Sequence, residues 1–259
     1  MGQYILNGDA TKDSCNCYTL TQPINNQAGS VWQSKKINLL DSFDFSFKVF
    51  LGCTTTGADG VVFILQPSST SIGTVGEGLG FEGISSSIGI SLDTYTNPDL
   101  NDPLYDHISI QANGIVKHGN DLAGPIPASS ATNNIKDCQW HTFRIKWDPS
   151  THILSTYFDG VFRLSVQKDI VSDLFNSNPV VFWGFSGSTG GFNNLQKICT
   201  PLNPDATTGL VNNTVCIGNS VLFSDSSVSY TTIQNYYWDF GDGSTSTEEN
   251  PGHLYSQPG

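Results

Sequence analysis

The sequence predicts an all-β protein: an antiparallel β-sandwich followed by part of a second, smaller one. Three observations predict it. Short runs of β-branched and aromatic residues recur between Gly, Pro, Asn and Asp punctuation, the pattern of strands and turns. One run, Phe43-Asp44-Phe45-Ser46-Phe47-Lys48-Val49-Phe50, alternates so that it reads as four rings on one face of a sheet packed on a core. A two-residue Asp159-Gly160 turn, of the type that tolerates positive φ, joins 153–158 to 161–166 as a hairpin.

The remaining elements follow in order. Gly60-Val61-Val62-Phe63-Ile64-Leu65 is another such β-branched and aromatic run and reads as a strand. His141-Thr142-Phe143-Arg144-Ile145-Lys146-Trp147 alternates again. Helical character is confined to the short stretch 170–175. At Thr200-Pro201-Leu202-Asn203-Pro204-Asp205 two prolines and a loss of periodicity mark a linker. The expected organisation is therefore a sandwich over 1–200, a linker over 201–209 and a smaller β unit over 210–259.

Composition narrows the function. The chain has 259 residues, enough for one large domain and a partner, and a formal net charge of −12. A domain of about 200 residues buries roughly 70% of its unfolded surface, so a true core is expected. No Lys/Arg cluster is present, which argues against nucleic acid or an anionic membrane as partner. No apolar run approaches the ~20 residues of a membrane span. The six cysteines, at 15, 17, 53, 138, 199 and 216, lack zinc spacing and read as disulfides of an exported protein. Met1-Gly2-Gln3-Tyr4 lacks the basic start and apolar stretch of a signal peptide, and Met1-Gly2 is read as standing where such a signal has been removed.

The segment 93–107 carries the chemistry. A hard cation such as Ca²⁺ takes six to eight oxygens from carboxylates, amides and backbone carbonyls. Asp93, Asn97 and Asp102 offer these at short spacing, and Pro98 and Pro103 stiffen the loop between them. From spacing alone, a metal-free acidic turn is the commoner reading. The string Leu92-Asp93-Thr94-Tyr95-x-Asn97, then Asp102-Pro103 and His107-Ile108, however, resembles the metal loop of the legume (L-type) lectins with every gap preserved. The resemblance covers roughly residues 1–200 and implies a concanavalin-like jelly roll. It implies one Ca²⁺ on Asp93, the Tyr95 carbonyl, Asn97 and Asp102. It also implies a transition metal on Asp93, Asp102, His107 and a glutamate. Ser91 stands in the glutamate's place, which leaves that second site one ligand short, so at most weak occupancy is expected there.

A sugar site is implied beside the loop. Gly57-Ala58-Asp59-Gly60 resembles the family turn whose aspartate accepts from two sugar hydroxyls, after a cis peptide. Charge-assisted bonds to such a carboxylate are strong. Asn97 can commit its oxygen to calcium and leave its amide nitrogen for the sugar. Tyr95 would then supply the stacking face. Calcium thereby acts without touching the ligand. Gly76-Glu77-Gly78-Leu79-Gly80 resembles the loop whose backbone N–H reaches the sugar; Gly78 is assigned that role, with Glu77 competing. Trp183-Gly184-Phe185 onward to Gly190-Gly191-Phe192 resembles the late strand and specificity loop. Its Gly-Gly step matches mannose-binding cargo lectins, whereas Asn193-Asn194-Leu195-Gln196 departs from them. The expected ligands are therefore glycans of mannose/glucose type or other neutral sugars.

Tyr237-Trp238-Asp239-Phe240-Gly241-Asp242-Gly243-Ser244, with Asn250-Pro251 and His253-Leu254-Tyr255, resembles the signature of a PKD domain, a small immunoglobulin-like sandwich. Such a domain continues for further strands, so the chain reads as part of a larger multidomain adhesin, extracellular or on a cell surface. Two other classes compete. Glycoside hydrolysis needs paired carboxyls flanking the bond, but the only glutamates are Glu77, Glu82, Glu248 and Glu249, with no acidic alternating strand, so no enzyme is expected. A spacer or protein-binding module with a vestigial sugar site is the other. Among the cysteines, Cys53 and Cys138 are placed to pair and brace the Asp59 turn; Cys15, Cys17, Cys199 and Cys216 admit several pairings.

Overall fold

The computed structural model describes residues 4–13, 16–71, 73–200, 220–223, 225 and 235–257. The expected linker 201–209, Met1-Gly2, Cys15 and Cys216 lie outside them. The chain divides into two compact units, Met1–Thr200 and Pro201–Gly259.

The first unit is built from strands β1 (Tyr4–Gly8), β2 (Thr11–Lys12), β3 (Cys17–Thr21), β4 (Ala28–Gln33), β5 (Ile37–Asn38), β6 (Phe43–Phe50), β7 (Gly60–Gln66) and β8 (Ile88–Asp93). It continues with β9 (His107–Ala112), β10 (Ala123–Pro127), β11 (Trp140–Asp148), β12 (Ile153–Phe158), β13 (Val161–Gln167), β14 (Val180–Ser188) and β15 (Gln196–Cys199). One short helix, α1 (Ile170–Leu174), interrupts them, capped by Asp169 accepting from Ser172 N–H. One sheet runs β1-β4-β14-β7-β8-β9-β10, with β5 paired to the other end of β14; the second runs β13-β12-β11-β6-β15-β3-β2. Neighbouring strands pair antiparallel. The all-β antiparallel sandwich expected from the alternation is what forms.

Rings from both sheets make the core. Phe45 and Phe47 of β6 meet Phe63 of β7 and Trp183 and Phe185 of β14, with centroids 4.8–6.3 Å apart. Every residue of β7 is buried, so this strand is covered on both faces. The alternation in β6 needs one correction. Phe43, Phe45, Phe47 and Val49 face the core, but Phe50 falls on the opposite parity, half-buried and tilted against Trp140 at 5.5 Å. Three rings, not four, share the core face, because side chains alternate with a period of two.

Asp159 and Gly160 both take positive φ (48° and 78°), closing the β12–β13 hairpin as expected. Among the described residues two disulfides form: Cys53–Cys138, the anticipated pair, and Cys17–Cys199, which the sequence left open. The second joins β3 to β15 in paired register.

In the second unit β16 (Ser220–Leu222) pairs β19 (Gly252–Leu254), and β17 (Trp238–Asp239) pairs β18 (Thr245–Ser246). Val221, Phe223 and Trp238 are its buried core. The signature residues hold turns: Trp238 Nε1–H donates to the Glu248 carbonyl, and Asp242 accepts from Ser244 N–H.

The parity of β6 gives a stability contrast. Phe45→Ala should cost about 3–5 kcal/mol, as a buried ring lost from a packed core does, whereas Phe50→Ala should cost under about 1.5 kcal/mol; denaturant unfolding of both variants reads the difference.

Candidate metal and sugar site

One register row across the first sheet assembles the site. Ser188 of β14 pairs Gly60 of β7, Gly60 pairs Asp93 of β8, and Asp93 pairs His107 of β9. Four strand ends thus bring together residues separated by up to 128 positions (188 − 60) in the chain.

Asp59 stands at the head of β7 after a cis Ala58–Asp59 peptide. Its backbone is held from both sides: its N–H donates to Ser188 O (3.0 Å), and its carbonyl accepts from Thr94 N–H (2.8 Å) and the Thr94 hydroxyl (3.0 Å). Gln196 Nε2 donates to Ala58 O and Ser188 O, both at 3.0 Å, pinning the turn from below. Asn194 holds the preceding loop, its Oδ1 accepting from Cys53 and Thr54 N–H and its Nδ2 donating to Thr54 O. Asp59 Oδ2 is buried with no hydrogen-bond partner. Burial, and then the charge of Glu77, push its carboxyl up to about 7. Gly190 approaches so closely that a Cβ there would sit 3.4 Å from Asp59 Oδ2, over the unpartnered oxygen.

The 93–107 loop is wound on its own carboxylates. Asp93 Oδ1 accepts from Tyr95 N–H (3.0 Å), and Asp102 Oδ2 accepts from Asn97 N–H (2.7 Å). Thr96 Oγ1 donates to Pro103 O across the loop. Asp102 Oδ1 is buried and unpartnered. Burial, and then the charge of Asp102, push Asp93 well above the usual carboxylate range. Burial raises Asp102 too, against the opposing Asn97 N–H and His118. Such a pair is what a cation between the carboxylates would relieve. The donor set, four oxygen-bearing residues with one unpartnered buried oxygen, fits Ca²⁺.

The other expected residues gather above. Tyr95 and Phe192 stack with centroids 5.4 Å apart and planes at 28°. Phe192 is 51% exposed. Gly190 N–H donates to Phe192 O, and Gly191 O accepts from Asn25 Nδ2. Gly78 is buried in a 3-10 turn with its N–H directed at Val75 O (3.4 Å); Glu77 is the residue of that turn that reaches the cluster, accepting from Asn97 Nδ2 at 3.2 Å. Beside Tyr95 opens a cleft of about 520 Å³ lined by Thr55, Leu104, Tyr105, Asn134 and Phe192 among others.

Four supporting residues escaped the sequence. Lys136 is buried, and its ammonium donates to Asp106 Oδ1 (2.5 Å) and to the Thr94 carbonyl, tying the loop to the segment before β11. Asn194 and Gln196, which looked like departures from a family pattern, are the buried braces of the Asp59 turn. His118 is the fourth. After β9 the chain reverses at Asn113-Gly114, both at positive φ, and returns His118 to the loop, where its N–H donates to Leu100 O. His118 Nε2 lies 2.8 Å from His107 Nε2 and 3.5 Å from Asp102 Oδ1. The Asn-Gly turn was the one signal that could have located it. Ser91 Oγ, in the place of the missing glutamate, is bonded to Ser109 Oγ at 2.7 Å. Burial, and then the facing His118, hold the His107 imidazole down to about 4.

Residues 2–201 match the family model of the legume lectin beta-barrel domain, and residues 202–259 match that of the PKD domain. The chain belongs to the legume lectin family, with a PKD domain following, and the family is one of non-enzymatic carbohydrate-binding modules. It is 35% identical over 176 residues to a galactose-binding lectin of Arachis hypogaea, covering 62% of this chain and 59% of that protein. It is 27% identical over 219 residues to a serine-rich adhesin for platelets of Staphylococcus aureus, covering 76% of this chain but 10% of the adhesin. The chain thus spans a small part of the bacterial relatives it matches. Among solved structures, the metal-free form of lectin I-B4 from Griffonia simplicifolia aligns with a TM-score of 0.62 at 26% identity, covering 76% of this chain and 90% of that one. Among the described residues no helix is long and apolar enough to cross a membrane.

The Lys136 contact is testable. Lys136→Met leaves Asp106 buried and unpaired and should cost about 3–5 kcal/mol; Asp106→Asn on top of it should recover part of that loss in thermal unfolding.

Proposed function

We propose that the first unit binds neutral glycans in a calcium-dependent way, as the recognition head of an extracellular or cell-surface adhesin. In this reading Ca²⁺ is held by Asp93, the Tyr95 carbonyl, Asn97 and Asp102. Asp59 accepts from two sugar hydroxyls, and Asn97 Nδ2 donates once its Oδ1 faces the ion. Tyr95 and Phe192 offer an aromatic face, and the backbone at Gly190, Gly191 and the Gly78 turn closes the rim. The observation that carries the reading is the buried, unpartnered Asp59 Oδ2 beneath Gly190. A buried acceptor with no partner costs about 1–3 kcal/mol, a cost that a ligand hydroxyl would offset.

Relatives support the setting: adhesins of Staphylococcus aureus suggest a surface role, and the Arachis hypogaea protein adds galactose to the mannose/glucose class as a candidate. The PKD domain supports a stalk that carries the head as part of a larger chain. The test is a glycan array covering mannose, glucose, galactose and N-acetylgalactosamine termini, run with Ca²⁺ and with EDTA. Binding should require Ca²⁺ and fall by at least ~100-fold in Asp59→Ala, in line with loss of a charge-assisted pair, and comparably in Asn97→Ala. A calcium-loaded, folded protein that binds no glycan would replace this reading with that of a spacer module.

A further inference from the structure

We propose that this chain holds a zinc-class transition ion beside the calcium loop through His107 Nε2 and His118 Nε2, with Asp102 and Asp93 completing the donor set. The two histidines define their own tautomers. His107 Nδ1 lies 3.2 Å from the Tyr105 carbonyl, which can only accept, so Nδ1 carries the hydrogen. His118 Nδ1 lies 2.8 Å from Asp121 Oδ1, and the other oxygen of that carboxylate accepts from Gly119 N–H. A neutral imidazole protonated at Nδ1 presents a lone pair at Nε2. Two lone pairs therefore point at each other across 2.8 Å, in a site where both side chains are at most 5% exposed. Something electron-poor belongs between them.

The oxygens complete the case. Asp102 Oδ1, buried and without a hydrogen-bond partner, lies 3.5 Å from His118 Nε2, and Asp93 Oδ2 lies 3.8 Å from His107 Nε2. Bonds of about 2.0–2.2 Å to one ion put its ligands roughly 2.8–4.4 Å apart. All three separations fall in that range. One ligand atom each from Asp102, His107 and His118 lies within 4.8 Å of the others. The Asp121–His118 contact is the outer-shell arrangement that orients metal-bound histidine.

This donor set differs from the oxygen-rich one implied for the family. Ser91 is closed off by its bond to Ser109, so position 91 of β8 supplies no acid beside Asp93; His118 enters instead from the segment returning after β9. Replacing a carboxylate by imidazole moves preference away from Mn²⁺ and towards Zn²⁺, Ni²⁺ or Cu²⁺. The inference stands on this geometry and not on glycan binding.

The experiment uses the full chain, stripped with EDTA and resupplied with Ca²⁺, then titrated with Zn²⁺ or Mn²⁺ in a calorimeter. Zn²⁺ should bind with one-to-one stoichiometry and at least ~100-fold more tightly than Mn²⁺. His118→Asn should abolish that preference, and Asp121→Asn should weaken zinc binding by about 10–100-fold. Co²⁺ in place of Zn²⁺ should give a visible absorption band that His118→Asn removes. His141→Gln, altering a third buried histidine, flanked by Asp137 and Asp159, should leave zinc binding unchanged. Mn²⁺ binding as tightly as Zn²⁺, or zinc binding lost in His141→Gln and kept in His118→Asn, would overturn the proposal. If His118→Asn does not fold, unchanged zinc affinity in Asp121→Asn would overturn it as well. Glycan binding is not a readout, so failure here is separable from failure of the lectin reading.

Discussion

Two buried carboxylates, Asp93 and Asp102, repel each other inside a sandwich that offers them too few hydrogen bonds. Each accepts one backbone N–H from its own loop, and Asp102 keeps an oxygen with no partner. Burial raises both carboxyls, and the charge of Asp102 pushes Asp93 up further. A divalent cation would resolve this by favouring the ionised forms and drawing the loop around itself. The loop backbone would then fix Tyr95, stacked on Phe192, and Asn97, bonded to Glu77, on either side of Thr94's contact with the Asp59 turn.

That arrangement shows why the fold invests buried polar contacts so far from any ligand. Lys136 holds the Thr94 carbonyl, Thr94 holds the Asp59 carbonyl, and Gln196 and Asn194 hold the peptide and loop leading into Asp59. Each brace spans strands or loops distant in sequence, so the two halves of the site are registered by the sheets and not by local turn geometry. Partly satisfied buried polar networks are costly. Here the unsatisfied atoms include Asp59 Oδ2 and Asp102 Oδ1, both in the two halves of the site.

How much of this was legible follows from sequence separation. The 93–107 loop could be read because its donors lie within one short segment at fixed gaps. The sandwich could be read because alternation is local, although Phe50 shows that counting rings without counting parity misassigns a face. Asp59 became readable only beside the loop. His118, Lys136 and Asn194 could not be read, since their partners lie 11, 30 and about 140 residues away and come close only after the strands pair. The Cys53–Cys138 bridge was anticipated from its place before the Asp59 turn. Cys17–Cys199 needed the β3–β15 register to single it out among the remaining possibilities.

The central claim is that the Asp93–Asp102 pair requires a cation. Calorimetric unfolding of the EDTA-treated chain across a Ca²⁺ series measures it most directly. The account predicts a melting temperature that climbs with the logarithm of calcium concentration, as expected for a ligand bound to the folded state alone. It also predicts an Asp102→Asn protein that melts above the metal-free parent and ignores calcium, because the repulsion has gone with the charge. A parent chain whose melting temperature is the same with calcium and with EDTA would contradict it.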